Sequence, residues 1–491
     1  MKLVYAVSHA YYAVMVTLMW VEELTIENIR CFESMSIRFT QGMDSPHRWV
    51  TFLSENGGGK STALQALGLL LAGPEGAQKL LPRPVGWLRN EELPGKIATR
   101  IHKDNNDPGE FGTEKIARNF GYSYNLTGTR PLTVNNKLYT EPSVVPSGQK
   151  ILAWLRENAF PSGKSGWFAV GYGAFRRLTR SNQIMIPSLD PQARYLNFLT
   201  QFSEDEAIST FERWMVYLDY RIHKAKDAKA EGQQNLGIQA INRVLPAGAR
   251  FHRVSVEGRI FFKIGNEEVP TIALSDGYRS VLALAGDLIW RLLLAFPDSQ
   301  DALKEKGVVL IDELDIHLHP VWQRQLPEIL RDVFPNLQFF VATHSPLVAA
   351  GAGEDALTFR FDFKDGRSRV EKTSTLASMN VERVLQSEAF GLVSPFSPQT
   401  QKKIDRFDSL RKKKHRNGPE ESELLSLYDF MERAKPIGGP PEPGSLDEKV
   451  DEYLRKNLHD QSHSPADSAD SATKGQGMAL EIVVGKNGER T

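Results

Sequence analysis

The run Ser54-Glu55-Asn56-Gly57-Gly58-Gly59-Lys60-Ser61-Thr62 carries the groups needed to hold a phosphate chain. Gly57, Gly58 and Gly59 let main-chain N–H groups turn toward phosphate oxygens, Lys60 can reach the β and γ phosphates, and Ser61 can ligate magnesium, with Asn56 and Thr62 at the two ends of the cradle. Ser54 stands where the usual pattern has glycine, so a residue with a β-carbon must fit a tight turn. Glycine-rich turns before helices are common, but Gly-Lys-Ser after an apolar strand is a much narrower pattern.

Three further constellations bear on the same chemistry. Val308-Val309-Leu310-Ile311 ends in Asp312 and Glu313; at the carboxyl end of a strand, Asp312 can hold magnesium and Glu313 can orient or deprotonate an attacking water. Such a pair alone is more often a solvated strand end; its place downstream of the glycine loop reverses that. Leu274-Ser275-Asp276-Gly277 opens a helix, where Ser275, Gly277 and free N–H groups make an anion site without a lysine, suited to the γ phosphate of a nucleotide held by another subunit. An ordinary Ser275 N-cap would use the same residues. His344, in Thr343-His344-Ser345-Pro346 after an apolar run, can contact the γ phosphate.

These residues need elements to place them. Apolar and polar residues alternate over 23–39, the period of two half-buried strands, and 49–53 is a third. Residues 62–71 continue as an apolar helix, so the glycine loop sits between strand and helix. Residues 74–147 read as loops and a meander. A buried strand is expected within 166–178, a helical lobe about 188–245, strands with a Gly265-Asn266 turn over 251–272, a helix over 274–294, parallel-type strands at 307–311 and 337–342, and a helix over 322–333. A hairpin follows at 357–370.

Sixty basic and sixty acidic residues leave no net charge, so any nucleic-acid surface must be local. Arg176, Arg177 and Arg180 form one basic cluster and residues 411–416 another, though charged runs are usually solvated faces. The single cysteine, Cys31, excludes an internal disulfide and a thiolate zinc cluster, which fits a cytoplasmic protein. Residues 1–20 are mostly apolar, yet polar residues dilute them and no cleavage pattern follows; we read them as an over-extended or accessory start, with no membrane association. His317 and His319 read as loop packing, not as a metal site.

The glycine loop, the signature Leu274-Ser275-Asp276-Gly277, the Asp312-Glu313 strand, the Leu314-Asp315 loop and the switch histidine His344, in this order, resemble the soluble branch of the ABC ATPases, alongside RecF, SMC and OLD proteins. The phrases LTIENIRCF, IDELDIHLHPVWQ and ATHSP are similar to AAA-family ATP-binding proteins of bacterial anti-phage defence, and the build resembles the ATPase of Septu-type systems. The resemblance implies an α/β fold with a mixed sheet around the phosphate loop, an antiparallel meander, an inserted helical lobe and a helical C-terminal extension. It assigns 21–375 to the ATPase domain, 376–434 to the extension and 435–491 to a flexible tail. It implies ATP and Mg2+ as cofactors, a homodimer or higher even oligomer with composite sites, Asp315 at the subunit interface, Arg30 near the nucleotide, and a separate HNH-type nuclease partner acting on DNA. No glutamine loop can be placed; Tyr172-Gly173 occupies its position.

Other functions fit less well. An OLD-type nuclease needs an Asp-x-Asp pair in its C-terminal part, and none occurs after His344. A DNA-repair ATPase of the RecF or SMC kind shares the motifs, but only about two hundred residues separate Thr62 from Leu274, too few for a long SMC coiled coil at ~1.5 Å per residue. A transporter subunit is disfavoured by the histidine-rich loop over 314–320 and the long C-terminal part.

Overall fold

The computed structural model describes residues 20–41, 45–55, 57–103, 110–111, 114–115, 117, 119–134, 137–158, 160, 168–174, 193–203, 210–246, 248–392, 394, 396–413 and 415–434. Residues 1–19, Asn56, Arg176, Arg177, Arg180 and the tail from 435 lie outside them.

Two sheets enclose one helix. An antiparallel sheet of order β10-β9-β6-β1-β2 is built from β1 (Trp20–Ile29), β2 (Phe32–Arg38), β6 (Gly95–His102), β9 (Asn119–Val134) and β10 (Lys137–Ser147). The second sheet, β11-β15-β16-β5-β17-β18, contains β5 (Trp49–Ser54), β11 (Phe168–Tyr172), β15 (Gly307–Ile311), β16 (Leu337–Thr343), β17 (Leu357–Lys364) and β18 (Arg367–Lys372). It is parallel except for β18. Short pairs β3–β4 (Thr40–Gln41, Ser45–Pro46) and β7–β8 (Glu110–Phe111, Glu114–Lys115) and the meander β12 (Ala249–Val254), β13 (Ile260–Ile264) and β14 (Glu267–Pro270) complete the strands.

Helix α1 (Lys60–Ala72) is buried everywhere except Ser61 and Gln65. A helix apolar on all sides must be covered on all sides. Leu24, Ile97 and Tyr124 of one sheet and Val50, Phe52, Val308, Leu310 and Phe340 of the other share its core. Because side chains alternate along a strand, Val309, Ile311, Phe168, Val170 and Phe339 point into a second core, formed with α4 (Thr210–Ala225), α5 (Ala228–Val244), α6 (Asp276–Ala295) and α7 (Pro320–Val333). Each fully buried Leu or Phe contributes roughly 1.5–3 kcal/mol. The central strands are therefore fixed from both faces.

Two helices fall outside the periodicity reading. Helix α2 (Pro74–Leu80), with Pro74 opening it and Glu75 in its first turn, lies where only loops and a meander were expected, and α3 (Gln149–Asn158) follows β10. The first is too short to show a period, and the five apolar residues of the second, Ile151 to Leu155, are consecutive and show none. The 357–370 hairpin forms as expected: Asp365 and Gly366 both have positive φ, as a tight two-residue turn requires. Its parallel pairing with β5 was not readable from alternation.

The chain divides into two compact units, one ending at residue 395 and the other starting at Phe396. In the first, after α8 (Pro346–Gly351), Leu376, Val384 and Ala389 around α9 (Val381–Gln386) pack on Leu53, Ala349 and Ala350. In the second, α10 (Pro398–Lys412) and α11 (Gly418–Ala434) form a hairpin held by Arg406–Glu423, Lys413–Glu420 and Arg416–Glu421 pairs at 2.7, 2.6 and 2.9 Å. Lys413 and Arg416 of the 411–416 basic run thus tie the hairpin together.

Candidate functional site

The glycine loop leaves β5 and enters α1 with Gly57 and Gly59 at φ 82° and 101°. A β-carbon at Gly59 would lie 2.5 Å from the Phe32 ring and 2.6 Å from Cys31 Sγ; at Gly58 it would lie 2.6 Å from Ser54 Cβ. Ser54 is the last residue of β5 and its φ is not among the positive ones, so its β-carbon causes no backbone strain. Instead it fills the space that makes glycine necessary at 58. Gly59 is the N-cap of α1 with no side-chain cap, so the first helix N–H groups remain for an anion.

Lys60 Nζ donates to Ser54 Oγ at 2.9 Å, Ser54 O at 3.2 Å and His344 Nε2 at 2.8 Å. His344 Nε2 also lies 3.2 Å from Glu313 Oε1. An ammonium can only donate, so with Lys60 charged Nε2 is the acceptor in that contact. Burial, then the Lys60 charge, push the His344 pKa below its ordinary value, against the pull of Asp315, Asp312 and a hydrogen bond with the Ser54 backbone. Burial likewise lowers the Lys60 pKa, although Glu313, Asp312 and Asp315 oppose it. Desolvation outweighs attraction here. The buried ammonium is a poorly hydrated cation surrounded by acceptors, a form suited to binding a more highly charged anion.

Glu313 sits at φ 50°, left-handed for a residue with a side chain. The chain is pinned on both sides of it, by Asp312 N to Tyr172 O at 2.9 Å and Leu314 N to Ala342 O at 3.2 Å. Strain held in place by its surroundings is typical of functional positions, and here it accompanies the approach of the carboxylate to His344. Asp315, expected at a subunit interface, accepts from Thr343 Oγ1 and from His344 N at 3.3 Å, fixing the strand end that carries the histidine. Arg30, at φ 46°, donates to Gln65 Oε1 at 2.8 Å and Thr62 Oγ1 at 3.4 Å and stacks 4.3 Å above Trp87, which places it on the first turns of α1.

Ser275 and Gly277 are not hydrogen-bonded to this cluster. Ser275 is the N-cap of α6, exposed, and its hydroxyl makes no cap bond, so the ordinary N-cap role is unfilled. A β-carbon on Gly277 would meet the His317 carbonyl oxygen at 2.7 Å; the glycine lets the 314–320 loop approach the helix start. His319 Nδ1 accepts from Val321 N at 3.4 Å and caps α7.

Comparison with known proteins gives the chain a family. The family model described as "AAA domain, putative AbiEii toxin, Type IV TA system" matches residues 55–350, a span that contains the cluster. The chain belongs to this AAA-domain family. Among relatives, the Septu protein PtuA of Bacillus mycoides (strain KBAB4) is 25% identical over 443 residues, covering 89% of this chain and 54% of that protein. The chain therefore spans about half the length of that relative. The retron Vc95 probable ATPase of Vibrio cholerae serotype O1 biovar El Tor is 44% identical over 81 residues, 16% of each chain. An SMC head solved with the C-winged helix domain of ScpA is 16% identical, with a TM-score of 0.44, over 72% of this chain and 98% of that one.

Within the AAA-domain span, sequence reasoning missed a set of buried polar residues. Asp287 and Arg291 on α6 join Tyr172 of β11: Tyr172 Oη donates to Asp287 Oδ2 at 2.9 Å and Arg291 Nε to the same oxygen at 2.6 Å. An aspartate and an arginine four apart inside the apolar run LALAGDLIWRLLLA were the available signal. Among the described residues no helix is long and apolar enough to cross a membrane.

Proposed function

We propose that the chain binds and hydrolyses ATP with Mg2+, assembles as a homodimer whose nucleotide sites are shared, and in that form regulates a DNA-cutting nuclease in anti-phage defence. The Lys60–His344–Glu313 cluster at the mouth of the glycine loop carries this reading. Lys60 and the N–H groups at the start of α1 would bind the phosphates. Ser61, which opens α1 beside Lys60, and Asp312, at the end of β15, are hard oxygen donors suited to Mg2+. No group of three His, Cys, Asp or Glu able to hold a metal occurs among the described residues, so phosphate oxygens would complete the shell. The metal would neutralise charge developing on the phosphates. Glu313 would orient and deprotonate the water, and neutral His344 would contact the γ phosphate. The exposed start of α6 at Ser275, whose hydroxyl makes no cap bond, supports the shared site, since it is left available to a phosphate of another subunit. The defence setting and the nuclease partner are supported by the similarity to a Septu protein and a retron ATPase.

The test is Glu313→Gln, which should keep ATP bound while turnover falls about 10²–10⁴-fold, the usual loss of a general base. Light scattering should show its mass double on adding ATP. An unchanged mass, from a monomeric starting state, refutes the shared site. For a chain already assembled without ATP, mixing Lys60→Ala with Ser275→Arg subunits decides: each spoils a different half of the site, so activity should return, and its absence refutes the model.

A further inference from the structure

Tyr172 bonds through both its main chain and its side chain. Its main-chain oxygen accepts from the N–H of Asp312, the residue placed to hold magnesium. Its side-chain hydroxyl reaches Asp287 in the middle of α6, the helix that starts at Ser275. Asp287 is 1% exposed and Arg291 neutralises it; the aspartate charge, with Tyr172, raises the Arg291 pKa despite burial.

The turn of 3-10 helix at Arg194–Gln201 closes this network from the far side. Arg291 Nη1 donates to Asn197 Oδ1 at 2.5 Å, and Asn197 Nδ2 to Ala169 O of β11 at 3.0 Å. Thr200 Oγ1 donates to Gly171 O at 3.1 Å and accepts from Gly173 N at 3.3 Å. Gln65 of α1, which also receives Arg30, donates to the carbonyl oxygen of Gln201 at 2.7 Å. The approach is close enough that a β-carbon on Gly173 would lie 2.0 Å from the Thr200 oxygen, and one on Gly171 2.1 Å from Gln201 Oε1. Three elements are thus joined through one short segment: the phosphate-loop helix, the strand beside the magnesium strand, and the signature helix.

We infer that Tyr172 and Asn197 are positioning residues that couple occupancy of a chain's own phosphate and magnesium site to the placement of its α6 N-terminus. The physical ground is rigidity. A buried, charge-assisted network has few alternative arrangements, so a shift of Asp312 or α1 on nucleotide binding must either move α6 or break a buried bond. Coupling of this kind is a free energy between two sites and is measurable as such.

This inference rests on the ATPase reading above. Tyr172→Phe removes one hydroxyl, with its bonds to Asp287 and Arg291, and leaves Arg291 on Asp287. It should bind a fluorescent ATP analogue within about threefold of the parent while turnover falls tenfold or more. To exclude effects of subunit assembly, hydrogen exchange is followed in the Ser275→Arg chain, whose shared site cannot close. There ATP should slow exchange at amides 57–66 and at 276–284; adding Tyr172→Phe should abolish the second effect and retain the first. Asn197→Ala carries the same expectation and serves if Tyr172→Phe does not fold. Turnover within twofold of the parent, or exchange at 276–284 still slowed as before, overturns the inference. So does a loss of analogue affinity beyond threefold, which would place Tyr172 in nucleotide binding itself. Should the parent neither bind nor hydrolyse ATP, the ATPase reading fails, and that outcome is distinct from any of these.

Discussion

Replacing Lys60 by methionine separates what this residue does for ATP from what it does for the fold. Its pKa is lowered because burial outweighs Glu313, Asp312 and Asp315, so the ammonium is held in the folded chain against its own preference for water. Lys60→Met relieves that desolvation and keeps most of the side-chain volume. Against this, the Ser54 and His344 acceptors lose a donor, at about 1–3 kcal/mol per group left buried and unsatisfied, and water can reach part of the site because His344 is one-third exposed. The terms oppose each other, and the net change without nucleotide should stay within about 2 kcal/mol, in line with the general conflict between site and fold. The response to ATP should differ far more. A parent held at a hundred times its Kd gains roughly 2.7 kcal/mol by linkage, and the variant should gain nothing. Denaturant unfolding with and without Mg-ATP measures both quantities. If Lys60→Met is stabilised by ATP as much as the parent, the lysine does not bind phosphate. If it instead loses most of its stability without ATP, the reasoning about desolvation is wrong.

Cys31 Sγ lies against the Gly59 turn, so alkylation with a maleimide should abolish ATP-analogue binding, and bound ATP should protect the thiol, as read by mass spectrometry; a labelled chain that still binds ATP would contradict the assigned loop geometry. The His344 pKa is lowered in the folded chain, so its contribution to stability is present above about pH 6.5 and is lost as pH falls through the folded value. His344→Gln should therefore lose less stability than the parent between pH 6.5 and 5 in thermal melts, and an equal or greater loss would show that the ring is not held neutral.

Much of the site was written in local residue order. Glycine at 57 and 59, where φ is positive, Lys60 and Ser61 at the head of an apolar helix, and carboxylates closing a run of four apolar strand residues depend on spacing over a few positions, and spacing is what a sequence displays. The all-round apolar character of α1 likewise demanded cover on every side, and the fully apolar β15 and the largely apolar β16 demanded a sheet covered on both faces. The remainder depended on which segments meet across long separations. The contact between Lys60 and His344 joins residues 284 positions apart. That Ser54, apparently an awkward substitute, would fill the space over Gly58 could not be read from a pattern. Neither could the Tyr172–Asp287–Arg291 network: hydrogen bonds to buried charges leave no period, and the residues that make them look like exceptions in an apolar helix until the partner strand is in place. Local periodicity decides what each segment can become, whereas desolvated contacts between distant segments decide which polar residues must be paired and therefore what the site can do.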